Sequence, residues 1–192
     1  MKVNEKLVLA LLFICAVCIS AGAFFEVHMT GAGKESLQTI LTGFFTSESA
    51  AADFKSCFFN SLKYRLPAVF ASFFAPFIFI TMPVLPIYIA IQSIALGFAA
   101  AMTLEAAGLL GMIYVGLYLM PQNLVLLPAL AVLAAAAVQA GCSCFSFRFL
   151  RRKQKRKALQ FNAGHYLKIY LIGSCAVIIS CLLEAFLLQL SF

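Results

Sequence analysis

The sequence predicts an all-α, polytopic integral membrane protein: about five transmembrane helices, a re-entrant or interfacial half-helix, and an extracytoplasmic amphipathic loop. Three observations lead there. Hydrophobic residues make up 64% of the 192 and charged residues 11%, with a mean hydropathy of +1.01, a balance that no soluble domain of this size shows. The apolar residues fall in uncharged runs long enough to cross a hydrocarbon core of about 30 Å. The basic residues stand beside those runs and concentrate in one short segment. Little chain is left for a soluble domain, so residues 1–192 are read as one membrane domain.

The first span is 7–25, an uncharged apolar run preceded by Lys2 and Lys6. Ala21-Gly22-Ala23 has the form of a signal-peptidase site, so a cleaved signal is the alternative. Either way, the chain after this span lies outside the cell. Residues 26–65 form the one sizeable hydrophilic segment, with Lys34, Lys55, Lys63 and Arg65 balanced by Glu26, Glu35, Glu48 and Asp53. Leu37, Ile40, Leu41, Phe44 and Phe45 have the i, i+3, i+4, i+7, i+8 spacing of an amphipathic helix. Phe54, Phe58 and Leu62 repeat at i, i+4, i+8 and predict a second helix running into the next span. Both helices read as a docking surface for a partner or, equally plainly, as lipid-facing surface helices.

Leu66 to Leu104 carries no charge and as helix would reach about 58 Å, enough for two crossings. The expected spans are 66–84 and 86–104, with a tight turn around Met82 to Pro86 marked by Pro83 and Pro86. Ala106 to Phe147 is again long enough for two. The basic segment 148–165, with Arg148, Arg151, Arg152, Lys153, Lys155, Arg156 and Lys157, belongs on the cytoplasmic side, and only an odd number of crossings takes the chain from an external Arg65 to it. Ala106 to Met120, with Gly108, Gly111 and Gly116, is therefore read as the half-helix that does not cross, and 124–147 as the fourth span. Ala129, Ala131 and Ala134 to Ala137 suit close helix packing there. The fifth span is 166–190. Ten of the fourteen basic residues then lie inside: Lys2, Lys6, the seven of the segment and Lys168.

Composition also excludes functions. The net charge of +7 does not argue for nucleic acid, because the basic residues are topology signals beside apolar runs; the cytoplasmic cluster is a topology anchor that can also hold anionic lipid headgroups. Six of the seven cysteines fall in or beside spans, so no disulfide framework is expected, and Cys15-x-x-Cys18 sits in a membrane run, where it reads as packing. His28 and His165 fall on opposite sides of the membrane, which rules out a two-histidine metal site. No nucleophile triad, carboxylate pair or phosphate-binding glycine loop is present, so neither catalysis nor a cofactor is expected.

The least ordinary stretch is Met120-Pro121-Gln122-Asn123-Leu124-Val125-Leu126-Leu127-Pro128, two prolines and two amides inside an uncharged run. A buried amide needs a partner and an interior proline costs a helix about 3 kcal/mol. The stretch is expected to end one helix and start another at a protein contact, or else to be a proline kink whose amides bond to nearby backbone. Glu184, in the last span, reads as an anchor to a helix end or to Arg65, or as a partner contact. Glu105 belongs to no recognisable motif.

Cys57-Phe58-Phe59-Asn60-Ser61-Leu62-Lys63-Tyr64, Met120 to Ala129 and Cys181-Leu182-Leu183-Glu184-Ala185-Phe186 together resemble the stage II sporulation protein M family, in that family's order and with its hydropathy layout. The resemblance implies a non-enzymatic scaffold in endospore formation, at the sporulation septum and the engulfing mother-cell membrane. Its partners would be two peptidoglycan-degrading enzymes, stage II sporulation proteins D and P. The candidate partner contacts inferred from topology are Leu37, Phe44, Phe58, Lys63, Pro121, Gln122, Asn123 and Glu184. A homo-oligomer is left open. The alternative is a small permease-like transport subunit working with a separate ATPase, since broken helices and in-membrane amides are what transporters use.

Overall fold

The computed structural model describes residues 4–31, 33–39, 54–74, 81–149 and 163–190, and among these it is helical with no strand. Five long helices succeed one another: α1 (Glu5–His28), α2 (Phe54–Phe74), α3 (Thr81–Tyr114), α4 (Met120–Phe149) and α5 (Ala163–Leu190). A π-helical turn, Val115–Leu119, joins α3 to α4, and a short helix covers 33–39. Three stretches are long and apolar enough to cross a membrane by length and composition: Glu5–His28, Pro83–Ser143 and Gly164–Leu187. The second holds both α3 and α4.

The helices form one bundle around α4. Ala131, Ala134, Ala135, Ala137 and Ala140 on α4 are completely buried. Side chains this small let neighbouring backbones approach closely, the main source of helix association where lipid is as apolar as leucine. Ala140 packs with Ala136 and Tyr166; the core the other four share with Leu126, Leu130 and Leu133 includes Leu11 and Cys15 of α1, Ala68 of α2, Leu85 and Ile89 of α3 and Val177 of α5. At Gly173 of α5, a Cβ would come within 2.6 Å of the Leu133 side chain, so the leucine fills the space the glycine leaves.

Helices α1 and α3 run side by side in the same direction, because their contacts climb together. Leu11 and Cys15 share a core with Leu85 and Ile89, and higher up Gly22 faces Ile94 while Gly97 faces Ile19. A Cβ on Gly22 would stand 2.1 Å from the Ile94 carbonyl oxygen, and one on Gly97 2.0 Å from that of Ile19. The stretch Ala21-Gly22-Ala23, the alternative cleavage site, thus lies in a close helix crossing, with Gly22 buried. Helices α2 and α5 run in opposite directions: Tyr166 donates to the Ser72 carbonyl near one end, and Arg65 reaches Glu184 toward the other. One end of the bundle therefore carries Asn4, whose backbone N–H bonds Gln139 of α4, and the C-terminal end of α4. The other carries His28, Glu105 and Glu184.

Where the helices break differs from expectation. No turn exists at Met82 to Pro86: α3 begins at Thr81 and continues through Pro86. Pro83 lies in the first turn, where a missing N–H costs nothing because no intrahelical partner is due there. Nor does Pro67 interrupt α2, which runs from Phe54 through Arg65 to Phe74, so Arg65 sits in a helix instead of closing a loop. The chain also does not break at Pro121 to Asn123. It breaks at Gly108, whose φ of 55° and ψ of −124° suit a residue without a Cβ. From there the chain folds back, bringing Gly111 against the Thr103 carbonyl, and residues 109–149 proceed helically. The π turn explains why Pro121 is accommodated. Met120 N–H bonds back five residues to the Val115 carbonyl, and this wider turn lies where the proline ring would otherwise press on the preceding turn.

Candidate functional site

Two polar clusters occupy the end of the bundle away from the C-terminal end of α4. The first is buried between α2, α4 and α5. Arg65, only 9% exposed, pairs through Nη2 with Glu184 Oε2 at 2.7 Å. Its Nη1 donates to Ser180 Oγ at 3.3 Å and to Cys181 Sγ at 3.4 Å. The Ser180 hydroxyl in turn donates to the Gln122 carbonyl at 3.0 Å, so one guanidinium and one hydroxyl link three helices. Tyr88 of α3 adds a fourth: its hydroxyl donates to the Tyr64 carbonyl at 3.3 Å and accepts from Gln92 Nε2 at 2.9 Å. A charge at this depth is tolerated when it is paired, and Glu184 pairs Arg65 while Ser180 and Cys181 take up two more of its donors.

Beside this network lies a partly open cavity of about 130 Å³, lined by Tyr114, Tyr118, Leu119, Gln122, Glu184 and Leu187. The π turn shapes its wall. In an α-helix, residues four apart drift by about 40° around the axis. A wider turn offsets the drift, so Tyr114, Tyr118 and Gln122 share one face, with the two rings 4.7 Å apart. The Gln122 Oε1 atom is buried and has no hydrogen-bond partner among the described residues. Asn123 behaves differently: its Nδ2 donates to the Leu119 carbonyl of its own helix at 2.8 Å, a local backbone bond.

The second cluster clasps the chain beyond α1 to the top of α3. Lys34 Nζ lies 2.7 Å from Glu105 Oε2 and 3.2 Å from Glu26 Oε1, and Gln38 Nε2 donates to Glu105 Oε1 at 3.3 Å. The hydrogen bond to Glu105 holds the Lys34 ammonium above the ordinary lysine value of 10.5, so it stays charged at physiological pH. Glu26 is almost fully buried while Glu105 is exposed. The clasp sits three residues before the Gly108 reversal.

The other expected contacts are scattered. Leu37 is half-buried on the short helix 33–39. On α2, Phe58 is half-buried and stacks on Phe54 with centroids 6.4 Å apart, whereas Lys63 is exposed. Pro121 is half-buried in α4. Phe44, Arg151, Arg152, Lys153, Lys155, Arg156 and Lys157 lie outside the described residues, and Arg148 is in the last turn of α4. His28 and His165 are at opposite ends of the bundle, on the end of α1 and the start of α5.

Sequence reasoning found the Arg65–Glu184 pair as one of three options for Glu184, beside a helix end and a partner contact, and missed the Lys34–Glu105 clasp. The missed signal was charge economy: Glu105 is the lone ionisable group between two long uncharged runs, and such a group needs a cation. Ser180 carried no signal of its own.

The stretches 57–64, 120–129 and 181–186 are far apart in the chain, yet Tyr64, Gln122, Cys181 and Glu184 all stand at or beside the buried network. Stage II sporulation protein M is the family that matches, over residues 8–187. No curated protein and no solved structure matches the chain. A match spanning nearly the whole bundle, over helices apolar enough to span a membrane, leads to the conclusion that this chain belongs to the stage II sporulation protein M family and is a sporulation-related membrane protein.

Proposed function

We propose that the protein is a non-enzymatic membrane scaffold of the septal peptidoglycan-degrading complex of engulfment, holding stage II sporulation proteins D and P at the septal and engulfing membrane. The observation that carries this reading is the gathering of the paired charges at one end of the bundle. That is the end opposite the last turn of α4, which carries Arg148 and precedes the basic segment in the chain, and by the positive-inside rule it faces outward. There the Lys34 clasp fixes the start of the hydrophilic segment against α3, and the segment returns to the bundle through α2. A platform of this kind would keep membrane-anchored hydrolases beside the wall and raise their effective concentration without chemistry of its own.

The test is recovery of the two hydrolases with the tagged protein from sporulating cells. Deleting Leu37 to Phe45 is expected to abolish recovery at unchanged membrane abundance. Undiminished recovery would remove this segment as the dock. Cysteine labelling that placed residue 38 and residue 109 on opposite faces would remove the platform altogether. The chain reversal at Gly108 and the partly open cavity support a second reading, a permease-like subunit working with an ATPase. Solute flux in liposomes containing the purified protein would favour it.

A further inference from the structure

We propose that the cavity between Tyr114, Tyr118, Gln122 and Glu184 binds the primary ammonium headgroup of a lipid of the phosphatidylethanolamine class. This goes beyond the scaffold reading and does not depend on it.

The wall pairs strong acceptors, an amide oxygen and a carboxylate, with the phenol hydroxyls of Tyr114 and Tyr118 and the Gln122 amide nitrogen, which can donate. Gln122 offers a buried, unpartnered Oε1. Glu184 offers a carboxylate of which Arg65 engages Oε2, and an ionised carboxylate has room for about four donors. The Tyr114 and Tyr118 rings, 4.7 Å apart, present faces that attract a cation. The Arg65 guanidinium is directed at Glu184, Ser180 and Cys181, so a free anion entering the cavity would meet the Glu184 carboxylate with no cation left to offset it, while the phenol hydroxyls can donate to the phosphate that accompanies a lipid ammonium. An ammonium group carries three N–H donors and no acceptor, the complement of the Gln122 oxygen and the Glu184 carboxylate. The volume of about 130 Å³ equals roughly four waters at about 30 Å³ each, which suits a two-carbon ammonium head.

Depth and surroundings favour a lipid as the carrier. Glu184 lies twenty residues beyond Gly164, where the apolar stretch of α5 starts and which ends at Leu187. That is about 30 Å of helix, placing the carboxylate near the far edge of a hydrocarbon core, the level of headgroups in that leaflet. Leu117, Met120 and Phe186 beside the cavity are each more than half exposed, so the mouth opens on an apolar flank of the bundle.

The experiment is native mass spectrometry of the full-length protein in detergent with equal amounts of phosphatidylethanolamine, phosphatidylcholine and phosphatidylglycerol. The wild type is expected to retain the ethanolamine lipid roughly tenfold over the other two. Both Gln122→Leu and Tyr118→Leu should lose that preference at unchanged thermal stability; if one of them fails to fold, the other gives the same reading. Equal retention of the three lipids would overturn the proposal, as would preference for the glycerol lipid, whose headgroup donates only hydroxyls. Free ethanolamine binding as tightly as the lipid would reassign the site to a soluble amine. A photo-crosslinker at position 187 that captured a protein and no lipid would overturn the lipid assignment in favour of a partner's lysine.

Discussion

The buried Arg65–Glu184 pair and the Lys34 clasp lie toward the same end of the bundle, and each brings together parts of the chain that are distant in sequence. They differ in their surroundings. Arg65 and Glu184 keep 10% and 23% of their side chains exposed, whereas Glu105 keeps 44%. In the first, water cannot compensate a charge that loses its partner; in the second it can, for Glu105 if not for the buried Glu26. The same kind of interaction therefore holds the bundle together in one place and only orients a segment in the other. Burial, more than distance, sets the worth of an ion pair, since both contain a 2.7 Å contact.

The largest effect is expected from breaking the buried pair. Arg65→Ala should cost about 3–5 kcal/mol, because it leaves Glu184 charged and stranded, read as the midpoint of thermal or denaturant unfolding in detergent. Replacing both partners, Arg65→Met with Glu184→Met, should recover most of that loss, since a well-packed apolar pair avoids the desolvation of two charges. A double variant as unstable as the single one would show that the Ser180 and Cys181 contacts matter more than the pair.

Next comes the α1–α3 crossing beneath the clasp. Gly97→Ala would drive a Cβ to 2.0 Å from the Ile19 carbonyl, and forcing the helices apart should cost about 1–3 kcal/mol. Gly116→Ala, with open space around its Cβ, is the matched control and should be close to neutral. The same crossing predicts that α1 is retained: the intact mass of the membrane-extracted protein should include residues 1–22, and a mass beginning after Ala23 would contradict it.

The clasp should show the smallest effect. Lys34→Gln should leave the unfolding midpoint near wild type, while releasing the 33–39 helix from α3, read as a longer distance between spin labels at positions 38 and 106. High salt should mimic it in the wild type, because exposed pairs are screened. The pH dependence has a definite sign. A lysine whose folded value is raised contributes fully below its unfolded value and loses that contribution as pH rises through the folded one. The label distance should therefore hold through neutral and mildly alkaline pH and lengthen only above 10.5.

Much of this protein is legible in its sequence, in ways that trace to particular residues. The alanine-rich run from Ala129 to Ala137 announces a closely packed helix, and it is the hub of the bundle. Glu184 announces that it needs a partner, and Arg65 is one of three options for it, beside a helix end and a partner contact. The prolines mislead. Pro86 and Pro121 read as breaks, yet α3 continues through Pro86 and the chain stays helical through Pro121, which follows the wider π turn at the start of α4. The actual reversal sits at Gly108, one of three glycines in a run where spacing alone could not choose among them.

By itself the sequence determined that the chain lives in a membrane, that it is helical, and which face of α4 is small enough to be surrounded. Those properties stem from composition and local spacing, which act on each segment separately. Only the tertiary structure decided that Arg65 belongs inside the bundle, that Lys34 closes on Glu105, and that Gln122 lines a cavity. Each of those needs a partner from another helix, and the free energy of a buried charge or amide is set by what stands opposite it, not by its neighbours along the chain.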